Sequence, residues 1–168
     1  MGNHLVSGDP LVPNEGLIMS SGDPADFCGN DSDQNTKNWY LGGDVNLTQV
    51  VKESNPFAQT YDACVIEFDF QCLDGEQQPL QQAEVSFDYI FGSEEYYEYV
   101  NSDFNDAFAF FLNGQNIAKL PDGVTEVTIN NVNYDTNQEY FIGNDVSEAS
   151  GVQYPSVEAD GFTTKLTA

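Results

Sequence analysis

Arginine is absent from this chain, lysine occurs four times and histidine once, against 28 Asp and Glu, for a formal net charge of −24 over 168 residues. That imbalance excludes nucleic acid as a partner, because neutralising its phosphates takes clustered Lys and Arg. Docking on anionic membrane surfaces is excluded on the same ground. The single histidine, His4, stands near an end expected to be flexible, which argues against a Ser-His-Asp or Cys-His arrangement. With so few His and Cys, ordinary zinc sites are not expected either. No run approaches the roughly 18 apolar residues of a membrane span, so no direct membrane insertion is expected.

Cysteine is also scarce. Cys28, Cys64 and Cys72 leave at least one thiol unpaired within the chain. Cys64 and Cys72 fall on one expected strand, where an eight-residue separation spans about 26 Å, far beyond disulfide reach. A bridge would therefore include Cys28; three small buried thiols are the alternative. The start, MGNHLVSGDPLVPNEG, lacks the charged opening and apolar run of an export signal. The expectation is a single domain over residues 1–168, with 1–14 flexible, cut from a larger extracellular or cell-surface protein whose export signal lies outside this chain.

What is present argues for a folded core: apolar residues make up 40% of the chain and aromatic ones 13% of it. Their spacing is that of strands. Phe87, Tyr89 and Phe91 share one face of an extended Ala83–Gly92, and Phe108, Phe110 and Leu112 repeat the pattern over Ala107–Leu112. Cys64, Ile66, Phe68 and Phe70 alternate with polar or smaller residues over Tyr61–Cys72, which predicts one buried face. Asn113-Gly114 signals a two-residue hairpin, and Val124–Val132 alternates with Val127 and Ile129 inward. Tyr140–Ile142 and Gly161–Ala168 complete the strands. A long polar loop from Ser21 to about Phe57 contains at most a helical turn near Leu47–Lys52. The fold class is all-β, an antiparallel two-sheet sandwich of jelly-roll or lectin-like form with long acidic loops.

Between the two aromatic strands lies a loop crowded with acids and free of basic residues. Glu94, Glu95, Asn101, Asp103, Asn105 and Asp106 offer the hard oxygens that Ca²⁺ takes in sixes to eights. Carboxylates this close repel one another, so the loop either holds a cation or stays solvated. The acidic composition alone also suits a protein kept soluble in high salt. A glycosidase pair is not formed by Glu94 and Glu95, which point oppositely on an extended backbone. Asn30-Asp-Ser32 and Asn46-Leu-Thr48 fit the N-glycosylation pattern. Trp39, Tyr40, Tyr96, Tyr97 and Tyr99 either stack on sugars or pack beneath loops, the second being commoner.

The run FGSEEYYEYVNSDFNDAFAFFLNG closely resembles the signature of the choice-of-anchor L domain. Gly16–Gly22, Tyr61–Phe70 and Asp160–Ala168 agree with that family in order. The resemblance implies a non-catalytic, β-sandwich-like extracellular module of secreted or surface-anchored proteins, serving adhesion or structure. Other surface proteins or glycans would be its partners. Family members usually run on into further Asp-containing strands, which this chain is expected to lack, and its cysteines are not part of the family pattern. The segment Asn105–Leu112 is also similar to a strand of legume-type lectins. That likeness implies a carbohydrate-binding alternative in which Asp106 is the sugar contact.

Overall fold

The structure is a computed structural model that describes residues 16–25, 39–145, 154 and 157–168. His4, Cys28, the Asn30–Ser32 tripeptide and the expected flexible stretch 1–14 lie outside the described residues. Among the described residues one α-helix, α1 (Val45–Lys52), precedes nine short strands, with a 3-10 turn at Gln138–Tyr140. These are β1 (Asp88–Tyr89), β2 (Gly92–Ser93), β3 (Ala107–Phe108), β4 (Phe111–Leu112), β5 (Gln115–Asn116), β6 (Val127–Thr128), β7 (Phe141–Gly143), β8 (Gly161–Thr163) and β9 (Leu166–Thr167). Every pairing is antiparallel, in the orders β1-β9, β2-β8-β7, β3-β6 and β4-β5. The all-β, antiparallel organisation is as the sequence predicts, expressed as several small sheets.

Two of the expected strands are broken for local reasons. Ala83–Gly92 pairs along Gly161–Ala168, with Tyr89 opposite Leu166 and Gly92 opposite Phe162. Two residues (90 and 91) separate these partners on one strand and three (163 to 165) on the other, so the C-terminal strand carries a bulge. Thr163 bridges it: its N–H donates to the Phe91 carbonyl at 2.7 Å, and its hydroxyl accepts from the Phe91 N–H at 3.0 Å. Ala107–Leu112 instead changes partner midway, from β6 to β5. The Asn116 carboxamide covers the switch, its oxygen accepting from the N–H groups of Phe110 and Ala118, each at 3.1 Å. Asn113 and Gly114 both take positive φ, 50° and 82°, as the expected two-residue hairpin requires.

The faces read from alternation meet as expected. Phe87 meets Phe110 at a tilt, 4.4 Å between ring centres, and Tyr89 stacks on Phe108 at 4.6 Å. Tyr89, Phe91 and Phe108 pack against a core of Leu120, Val127, Val132 and Leu166, while Ile90 faces a second cluster of Val157, Ala159 and Phe162. Val127 and Ile129 are fully buried. Helix α1 begins where Asp44 accepts from the N–H groups of Asn46 and Leu47, at 2.9 and 2.8 Å. Asn46 therefore lies in the first turn of a capped helix, and Thr48 of the same tripeptide is bonded to Thr60 at 2.7 Å.

One expected strand departs from its reading. Ile66, Phe68 and Phe70 are exposed, Phe68 by 55%, and Cys64 is exposed as well. An alternating segment acquires a buried face only when another layer covers it. Between Cys64 and Gln71 the backbone makes no hydrogen bond to any other described residue. Cys64 and Cys72 are both free thiols and so not bridged to each other, as their separation predicts. Cys64 is exposed and Cys72 half-buried, however, not the buried thiols of the alternative reading.

Among the buried polar groups is Glu126, 5% exposed, which pairs with the Lys119 ammonium and accepts from the Asn116 carboxamide nitrogen at 2.6 Å. Burial, then the charge of Glu126, pushes the Tyr89 hydroxyl up to about 12. Replacing Lys119 by Met leaves that carboxylate enclosed without its cation. Fully buried pairs broken in this way lose roughly 3–5 kcal/mol; with Lys119 retaining some solvent, about 2–3 kcal/mol is expected. Urea unfolding should show this loss for Lys119→Met and a smaller one for Lys119→Met with Glu126→Gln.

Candidate functional site

The acidic loop is held down by one aromatic ring. Tyr96 is completely buried, 4.9 Å from the Phe141 ring centre. It lies so close over β8 that a Cβ on Gly161 would stand 2.7 Å from both the Tyr96 and the Phe141 rings. Only glycine fits there. Tyr97 stacks on Tyr134 at 5.3 Å and Tyr99 meets Phe104 edge-on at 5.1 Å. Tyr96 and Tyr97 are thus packed against protein, the commoner of the two readings, whereas Trp39, Tyr40 and, despite its contact with Phe104, Tyr99 are exposed.

The six candidate metal ligands are divided among three settings. The Ser93 hydroxyl donates to Asp106 at 2.7 Å and accepts from the Glu95 N–H at 3.0 Å, which draws Asp106 and Glu95 into one neighbourhood. Asp106 is open to solvent on the wall of a wide groove, yet surrounded by protein on most sides. That crowding raises its carboxyl above the usual range, against the lowering effect of the Ser93 bond. Glu95 is raised by burial first, then by the charges of Asp106 and Glu98. Glu94, half-buried, lines the same groove. Asn101 and Asn105 are tied elsewhere: the Asn101 N–H donates to the Asn130 side-chain oxygen at 2.5 Å, and Asn105 accepts from the Asn130 N–H at 3.0 Å. Asp103 is exposed and accepts from Asn55 at 3.0 Å.

A tighter group of acids lies at the other end of Tyr96's support. Carboxylate oxygens of Glu98, Asp145 and Asp160 all fall within 4.8 Å of one another. Asp145 and Asp160 are each only 1% exposed; Glu98 is exposed. The β7-β8 ladder creates this meeting. Gly143 pairs with Gly161, and one step beyond, the Asn144 N–H donates to the Asp160 carbonyl at 2.7 Å. The Asn144 side chain then clamps the approach to β8, donating to the carbonyls of Val157 and Ala159 at 3.2 and 3.0 Å and accepting from the Tyr154 N–H at 2.6 Å. Sequence reasoning missed Glu98, Asp145 and Asp160. Their meeting depends on pairing Phe141–Gly143 with Gly161–Thr163, and no local spacing signals that register.

Three oxygen donors with no imidazole or thiolate suit a hard cation such as Ca²⁺ better than zinc. Carboxylates at such separations repel strongly unless a proton or cation intervenes. Ser93 lies between the two groups: it bonds Asp106 through its hydroxyl and pairs with Gly161 through β2-β8.

Residues 6–168 match the family model of the choice-of-anchor L domain. Neither the curated proteins nor the solved structures contain a match to the chain. Among the described residues no helix is long and apolar enough to cross a membrane.

The raised carboxyls have a consequence for pH. A carboxyl whose folded pKa exceeds its unfolded value binds more protons when folded, so stability rises as pH falls through that folded pKa towards the lower unfolded value. With chelator present, unfolding midpoints should therefore increase as pH falls from 7 through the folded pKa values of Asp106 and Glu95, both raised. They should fall again only at lower pH, where Asp88 and Asp122, whose pKa values are lowered chiefly by hydrogen bonds from Lys165 and Thr125 respectively, become protonated. Asp106→Asn and Glu95→Gln should each flatten the rise. A midpoint that falls steadily from pH 7 downward would contradict the assignment.

Proposed function

Because this chain belongs to the choice-of-anchor L domain family, we propose that it is a non-catalytic module of a secreted or surface-attached protein, stabilised by calcium and serving adhesion or structure. The observation that carries the calcium part is the convergence of Glu98, Asp145 and Asp160. The three carboxylates supply up to six of the six to eight oxygens that Ca²⁺ takes, and backbone carbonyls or water supply the rest. Bound there, the ion offsets the repulsion among them and ties the acidic loop to the β7-β8 edge. Asp106 and Glu95 form a second, less enclosed place for a cation within the originally expected set.

Carbohydrate binding is the second reading, favoured by the position of Asp106 on the groove wall and its openness to solvent. Glycan-array binding that disappears in Asp106→Asn, with the melting curve unchanged, would promote it over the structural role.

Thermal melts with calcium and with chelator test the main reading. At a calcium concentration 100 times its Kd, about 2.7 kcal/mol of linkage should raise the midpoint by about 5–10 °C. Asp145→Asn with Asp160→Asn should abolish the rise, while Asp106→Asn should leave it in place. Identical curves with and without calcium would overturn the calcium assignment, and a rise lost in Asp106→Asn alone would move the ion to the other group.

A further inference from the structure

We propose that the groove beside residues 64–71 is a docking site for an extended peptide strand whose residues alternate between apolar and basic. Three features lead there. The segment from Cys64 to Gln71 makes no backbone hydrogen bond to another described residue, so its N–H and C=O groups are open to a partner strand. Its side chains alternate, with Ile66, Phe68 and Phe70 on one face and Glu67 and Asp69 on the other. Those residues line a groove of about 2700 Å³ whose other walls include the aromatic strands carrying Phe87 and Phe110.

Charge selects the occupant. Among the described residues, the groove lining contains many carboxylates and no Lys, Arg or His. A second copy of this chain, at −24, would bring more negative charge to an already negative edge. A strand with apolar residues at alternate positions covers Ile66, Phe68 and Phe70. Its intervening Lys or Arg residues then face Glu67 and Asp69 as cross-strand pairs. Main-chain bonds supply affinity and the two faces supply selectivity, the usual division when a peptide extends a sheet edge. The proposal goes beyond the calcium reading and does not require the ion.

The test is fluorescence anisotropy with the full chain and a labelled peptide of about ten residues alternating Val and Lys, the length of a long strand. Saturable binding is expected that persists in chelator, which separates it from the calcium assignment. Three comparison peptides should each bind at least about ten-fold more weakly. One has the same composition in two blocks, one carries N-methyl groups on alternate amides, and one alternates Val and Glu. Phe68→Ser should lower affinity by a similar factor. Since Phe68 is exposed, its melting curve should be unchanged. Glu67→Gln with Asp69→Asn, also surface changes, should reduce the salt dependence of binding. Equal binding of the block peptide, or full binding by Phe68→Ser, would overturn the proposal. So would sedimentation showing that the chain dimerises through this edge.

Discussion

Negative charge with almost nothing to balance it is the constraint on which the rest of this structure turns. Two of the four lysines are committed to single partners, Lys119 to the buried Glu126 and Lys165 to Asp88. Carboxylates elsewhere must be solvated, hydrogen-bonded by neutral groups or shared with something from outside. The molecule uses neutral donors freely. Ser93 serves Asp106, Thr125 serves Asp122, and asparagine carboxamides hold the loops at residues 116, 130 and 144. Asparagine carries no charge and both donates and accepts, which suits a chain that cannot spare cations.

The fold concentrates this problem at one place. Tyr96, seated on Gly161 and Phe141, fixes the acidic loop against β8. The same β8 pairs with β7, so Asp145 and Asp160 emerge side by side at the strand ends with Glu98 above them. Packing of an uncharged ring therefore dictates where charge accumulates. The acidic group and the Ser93–Asp106 neighbourhood share β2 and β8 as scaffold, so a cation at either would restrain the same loop.

Much of the fold was legible in the sequence because it rests on local periodicity. The facing aromatics Phe87, Tyr89, Phe108 and Phe110 follow from alternation, and the hairpin at Asn113 follows from the demand for two positive φ angles. The inward Val127 and Ile129 follow in the same way. What was not legible depends on pairing between distant segments. The bulge at residues 163–165, the partner switch covered by Asn116 and the meeting of Asp145 with Asp160 need a register that alternation alone does not set. The exposed segment 64–71 makes the same point from the other side: periodicity marks a face, and only a neighbour buries it. Membership of the family was legible from the acidic run and its flanking strands, and the family match over residues 6–168 agrees.

The central claim is that a divalent metal sits among Glu98, Asp145 and Asp160, and calorimetric titration of calcium into chelator-treated protein tests it most directly. The account predicts saturable binding that is lost in Asp160→Asn and retained in Asp103→Asn, whose carboxylate lies apart with Asn55. Absence of binding heat in the unaltered chain across several temperatures, or an isotherm indifferent to Asp160→Asn, would contradict it.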